Sequence, residues 1–180
     1  MRGMDFWVSD LLNGEWTELK NVKGPFNTPY ADHCIYFTGE NWEFAYWTST
    51  RPEGFGGNDI WSSEKIDGVW QEAQNLGPNV NSEASEHHSL PSEDGRSLYI
   101  TSDREGGFGG EDIYVSSLDP DDKWTDLVNL GGNVTPIKAI DVRPFYQILV
   151  YSILIQKEVE GTAIKVFGCF HIHRLKICVS

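Results

Sequence analysis

At 180 residues, with 39% apolar and 13% aromatic content, the chain is long enough to bury a core and too hydrophobic for a disordered segment. Its formal net charge of -13 argues against nucleic acid and anionic membrane partners, both of which would repel it. Cys34, Cys169 and Cys178 form neither a disulfide framework nor a Cys-x-x-Cys metal pair, and the longest apolar run, around Ile148 to Ile155, is far shorter than the roughly 20 residues that span a bilayer.

Met1-Arg2-Gly3-Met4-Asp5 leads straight into Phe6-Trp7-Val8-Ser9, without the apolar stretch of a signal peptide. From there the chain repeats itself. A truncated first copy, residues 1–30, carries Asp5, Asn13-Gly14, Trp16 and Asn21. A second, about 31–85, carries the same landmarks at Asp59, Asp67-Gly68, Trp70 and Asn75, and a third, 86–135, at Asp112, Asp121-Asp122, Trp124 and Asn129. The tryptophans and the asparagines each recur every 54 residues, and Thr48–Ile60 matches Thr101–Ile113 at 9 of 13 positions. A period of this length signals stacked units, and here the local pattern is β. In the third copy, Leu98–Ser102 and Ile113–Ser116 are short β-branched and aromatic runs, the composition of strands covered on both faces. Gly106–Gly110 separates them, and a fourth strand is expected from Trp124. Asn13-Gly14, Asp67-Gly68 and Asp94-Gly95 are dipeptides favoured by type I′ hairpin turns, whose two central residues need positive φ. Each copy therefore reads as four antiparallel strands.

From Pro136 the composition shifts. Residues 1–135 hold 24 acidic and 8 basic side chains, residues 136–180 hold 3 and 6, and the second part has no tryptophan. The repeat does not resume there, and Phe145–Gln156 and Ala163–Val179 are candidate strands of a divergent tail.

Thr-Ser-x-Arg, then Gly-Phe-Gly-Gly-x-Asp-Ile-Trp/Tyr, a later Trp and Asn-Leu-Gly, then Asn-Ser, Asp-Gly and Leu-Tyr, together resemble the WD40-like repeat of TolB-type bacterial propellers over residues 4 to 135. The resemblance implies an all-β fold of β-propeller blades, about two and a half of them against the four to eight of a closed ring. It also implies a binding or scaffold module of the periplasm or cell surface, with a protein or glycan partner, no nucleic acid, no membrane insertion and no cofactor. An incomplete ring exposes blade faces through which chains would self-associate. A gene fragment, a tail that caps the last blade, or several chains sharing one ring would each account for the blade number.

Residues that recur in every copy build the repeat, because a catalytic group is needed once. Arg51, Gly54, Phe55, Gly56, Gly57 and Asp59, with their counterparts Arg104, Gly107, Phe108, Gly109, Gly110 and Asp112, are therefore structural. The expectation is a glycine hairpin, with Phe55 and Phe108 folded over its end and Asp59 and Asp112 accepting hydrogen bonds from loop amides. An anion cradle fits less well, because these loops open no helix.

The best candidate ligand group comes from what varies. Glu86-His87-His88 aligns with Asp32-His33-Cys34, on the strand expected to lie innermost, so His33, Glu86, His87 and His88 are candidate ligand-binding residues. A metal site needs three or four converging ligands, and none is assigned. His171 and His173 alternate along one strand of the tail, and Asp119, Asp121 and Asp122 form an acidic turn rather than a calcium loop. Ser9–Trp16 and Ser63–Trp70 share Ser, Gly and Trp with the sialidase turn but not its spacing, and no Gly-x-Ser-x-Gly elbow occurs. No residue set is assigned a catalytic role. The alternatives to recognition are a glycan-hydrolysing, sialidase-like propeller and a structural fragment without independent function.

Overall fold

The computed structural model describes residues 5–132 apart from 41 and 93, together with the backbone of residues 156–157 and 163–170. All regular structure among them is β-strand, arranged in three antiparallel sheets, and no helix is long and apolar enough to cross a membrane. The first sheet contains β1 (Asp5–Leu12), β2 (Glu15–Trp16) and β3 (Lys20–Asn21). The second contains β4 (Asp32–Thr38), β5 (Phe44–Ser49), β6 (Asp59–Ile66), β7 (Val69–Trp70) and β8 (Gln74–Asn75), and the third β9 (Glu86–Pro91), β10 (Ser97–Ser102), β11 (Asp112–Ser117) and β12 (Val128–Asn129). Two tail strands, β13 (Gln156–Lys157) and β14 (Ala163–Phe170), join the first sheet.

The outermost strand of the first two sheets is broken into two short pieces, both paired to one long neighbour. A recurring serine explains the break. Ser9, Ser63 and Ser116, all buried, donate their hydroxyls to the carbonyls of Thr17, Gln71 and Thr125, at 2.7, 2.7 and 2.5 Å. The side chain thus satisfies a carbonyl that the bulged ladder leaves unpaired. In the third sheet the first piece is reduced to a bridge between Leu118 and Trp124, so the strand expected from Trp124 begins in earnest at Val128.

The turns follow their chemistry at two of three positions. Asn13 and Gly14 take φ of 54° and 84°, and Asp67 and Gly68 take 51° and 78°, the signature of type I′ hairpins. Asp94-Gly95 departs from that expectation, because only Gly95 of the pair has positive φ (68°). There the Asp94 carboxylate accepts from the Ser92 hydroxyl and the Arg96 amide, and this local bonding sets a different turn.

The second sheet lies between the other two and is buried on both faces. Phe6, Val22 and Phe26 from the first repeat pack with Ala45, Trp47 and Trp61, and Tyr46 and Ile60 pack with Val80, Leu98 and Ile100 on the opposite side. The period-2 alternation along β5 sends Ala45 and Trp47 one way and Tyr46 the other. Recurrence explains the tryptophans as well. Trp70 stands edge-on to Phe26 at 5.0 Å and Trp124 edge-on to Tyr46 at 6.0 Å, each sealing a seam between sheets, whereas Trp16 is 39% exposed.

The tail strand completes the first sheet. β14 pairs with β1 over all eight residues, and Asp5 faces Phe170 just as Asp59 faces Ser49 and Asp112 faces Ser102. β14 therefore holds the position, in the same register, that β5 and β10 hold in their own sheets. A tail capping the last sheet was one expectation from the sequence; the described tail strand caps the first instead, because β1 presents a full-length edge there. Phe145 to Ile155 and residues 171–179 lie outside the described residues, His171 and His173 among them.

Candidate functional site

The recurring charged residues form a clasp at the end of the second strand of the second and third sheets. The guanidinium of Arg51 donates through Nη2 to Asp32 Oδ1 at 2.8 Å and to the carbonyl of Pro25 at 2.9 Å, and through Nε to Ser49 Oγ at 3.1 Å. Arg104 repeats this with Glu86 Oε1 at 2.9 Å, the carbonyl of Val80 at 2.7 Å and Ser102 Oγ at 3.2 Å. Both carboxylates are completely buried. The far side of Asp32 is bonded to the amide and hydroxyl of Thr28, and Glu86 takes the amide and hydroxyl of Ser82 and the hydroxyl of Ser102. Each guanidinium also lies over aromatic rings, Arg51 over Trp47 and Trp61 and Arg104 over Tyr114. The clasp ties each of these two sheets to the crossover that precedes it. Glu86, read from the sequence as a candidate ligand residue, has its carboxylate engaged in this clasp and faces no solvent.

The glycine loops are structural in the way the pattern suggests. Asp59 accepts from the amides of Phe55 and Gly56, and Asp112 accepts from the amide of Phe108 and from the Asn129 side chain. A Cβ on Gly54 or Gly107 would fall inside the contact distance of those same carboxylates, which is why both positions are glycine. Phe55 and Phe108 differ from the expectation that they fold over the sheet end, being 46% and 55% exposed. Gly56, Gly57, Gly109 and Gly110 complete the loops. Asn27 and Asn81 are a further recurring pair that the sequence reading missed, although they too stand 54 apart. Each brackets one residue of β1 or β6, bonding both the amide and the carbonyl of Phe6 or Ile60.

The histidines do come together. β4 and β9 are edge strands that lie against each other, and they bring His33, His87 and His88 into one neighbourhood. His33 and His87 occupy equivalent positions: Nε2 of His33 lies 3.1 Å from Asn58 Oδ1, within hydrogen-bond reach, whereas Nε2 of His87 lies 3.8 Å from Glu111 Oε1, the counterpart of Asn58. Where the two copies differ, His88 replaces Cys34. His88 Nδ1 is 3.4 Å from Thr101 Oγ1, and burial, reinforced by His33 and His87, pushes its pKa down to about 4. Burial also lowers His33, against the raising effects of Asn58 and Asp32. The cluster is therefore uncharged near neutrality at these two positions. Among the described residues, no group of three or more His, Cys, Asp or Glu side chains is arranged to hold a metal ion.

A concavity of about 720 Å³ opens between the second and third sheets beside Phe44, Tyr46, Glu64, Arg96, Asp122 and Trp124. Burial pushes the Tyr46 hydroxyl up to about 12, and Arg96 pairs with Asp122 at 3.2 Å on the exposed rim. No periodic signal marks this groove, because its walls come from different copies. Asp119, Asp121 and Asp122 form a closed turn, with Asp119 Oδ1 accepting from the amides of Asp121 and Lys123. No family model, curated protein or solved structure matches this chain.

Proposed function

We propose that the three sheets are successive blades of a β-propeller of the WD40-like, TolB-type kind, and that the chain acts in the bacterial cell envelope as a non-enzymatic binding or scaffold module for a protein or glycan. One observation carries this reading. The recurring arginines, carboxylates and glycines are used up in holding the repeat together, while the polar residues that vary between copies, His88, Cys34, Asn58 and Glu111, gather with His33 and His87 along β4 and β9. Recognition needs such a varied, positioned set on a rigid frame, and it needs no reacting group.

The test is a panel of glycans and purified envelope proteins offered to the full chain, with ligand mass followed after release. Recognition predicts a bound ligand that leaves unaltered and whose affinity falls at least tenfold in His87→Ala and His88→Ala. A ligand returned cleaved, or one bound equally by both variants, would overturn the proposal.

A further inference from the structure

We infer that Cys34 is an activated thiol, a site of mixed-disulfide formation with low-molecular-weight disulfides, with His33 as its proton acceptor and Asn58 as the residue that positions His33. The inference stands on geometry; it concerns the cluster named above but does not need the recognition reading to hold. Successive residues of a strand project to opposite faces, so a thiol and an imidazole at adjacent positions should not meet. Here β4 is irregular between His33 and Tyr36, and Cys34 has a φ of 55°. The bulge turns the thiol back, and Cys34 Sγ lies 3.4 Å from His33 Nδ1.

The other ring nitrogen decides which way the proton moves. Asn58 Oδ1, 3.1 Å from His33 Nε2, can only accept, so Nε2 carries the hydrogen and Nδ1 presents its lone pair to the thiol. Nucleophile, base and orienting amide are thus in line, the arrangement by which a weak nucleophile is activated. The groups facing His33 are Asp32 on its own strand and His87 and His88 on β9, and the net effect of its surroundings keeps the imidazole neutral near pH 7 and able to accept a proton. Cys34 carries a thiol, not a disulfide, and is half-buried, within reach of a small molecule. The third sheet supplies an internal contrast: Glu111 Oε1 stands 3.8 Å from His87 Nε2, beyond hydrogen-bond reach, and the next residue is His88. The thiol belongs to one copy, as a functional group should.

In the reaction the thiol proton passes to His33 Nδ1, and the sulfur attacks one sulfur of R–S–S–R. The Cys34–S–S–R bond forms as the original S–S bond breaks, and the departing R–S⁻ takes the proton from His33 and leaves as R–SH. One disulfide is consumed and one is made, so no other oxidant is needed.

The experiment uses the full chain carrying Cys169→Ser and Cys178→Ser, oxidised glutathione as the probe, and intact mass to follow adduct formation between pH 6 and 9. An unassisted thiol titrates near pH 8.5 and loses about tenfold in rate for each pH unit below it. Assistance by His33 predicts a flatter profile below pH 8, and a rate at pH 7 that falls about tenfold in His33→Gln and in Asn58→Ala. Asn58→Asp, isosteric with the native side chain, keeps an acceptor opposite Nε2 and should retain the rate, which guards against loss by misfolding alone. A profile of unit slope up to pH 8.5, unchanged by His33→Gln, would overturn the inference, and so would an Asn58→Asp variant that is folded by circular dichroism yet as slow as Asn58→Ala.

Discussion

Arg104 holds the carboxylate of Glu86 at 2.9 Å in a position with no solvent exposure, and Arg51 holds Asp32 the same way at 2.8 Å. The two acids differ by a methylene, yet each arginine makes the same three hydrogen bonds, to the acid, a crossover carbonyl and a serine hydroxyl, which marks the arginine as the fixed partner. Removing it leaves a buried charge with nothing to neutralise it. Arg104→Met should therefore cost about 3–5 kcal/mol, read as a lower urea midpoint with an unchanged slope. Adding Glu86→Gln should recover part of the loss, because the stranded charge is gone. A single variant within about 1 kcal/mol of the parent would show that the clasp does not hold the crossover.

The glycine loops yield a paired prediction. A Cβ on Gly57 would meet Ser85 Oγ at 2.6 Å, because the crossover into the third sheet runs over that loop, whereas a Cβ on the equivalent Gly110 has nothing within 4 Å among the described residues. Gly57→Ala should destabilise by about 1–2 kcal/mol, and Gly110→Ala should stay within about 0.5 kcal/mol of the parent. Gly54→Ala and Gly107→Ala should both be costly, since each collides with its own loop carboxylate. Thermal or urea unfolding of the four variants decides the matter, and equal effects at Gly57 and Gly110 would rule out the crossover contact as the cause.

These contrasts indicate what the sequence can and cannot tell. The strands of the third copy fall within a residue of their expected limits, at Ser97–Ser102 and Asp112–Ser117, because a run of β-branched and aromatic residues between glycine turns has few other options. The type I′ turns at Asn13-Gly14 and Asp67-Gly68 were equally legible. Glu86 was misjudged because its partner Arg104 stands 18 residues away and recurrence had marked only the arginine. Cys34 beside His33 was hidden for the opposite reason. Adjacent residues in an ideal strand cannot share a face, and only the bulge in β4, which no composition announces, brings them together. The groove beside Trp124 joins side chains from separate copies, so no period could reveal it.

The histidine cluster makes stability depend on pH. His88 is held to about 4 in the folded chain against an ordinary value of 6.5, so below pH 6.5 the unfolded chain binds a proton that the folded one refuses. The stabilisation is complete above pH 6.5 and is lost as the pH falls from there to about 4, with a ceiling of about 3 kcal/mol that residual solvent contact reduces. His33, lowered in the same direction, adds to the same window. His88→Cys, which copies Cys34 from the second sheet, should flatten the decline between pH 6.5 and 4.5 in urea titrations. An unaltered slope in that variant would assign the acid sensitivity to other groups.

The first sheet should be the weakest of the three. β14 matches the register of β5 and β10, but it carries Phe170 opposite Asp5 where β5 and β10 carry Ser49 and Ser102, the serines whose hydroxyls seat Arg51 and Arg104. The described tail strand thus supplies a ladder without the serine that seats the arginine in the other two sheets, and local opening follows the weakest tie. Val166→Pro removes a ladder donor from the middle of β14 and should raise amide exchange along Phe6 to Asp10 at least tenfold, while β10 and β11 keep their protection. In the parent chain the same β1 amides should already exchange faster than those of β5. Equal protection of β1, β5 and β10, unaffected by the proline, would mean that β2 and β3 hold the first sheet without the tail.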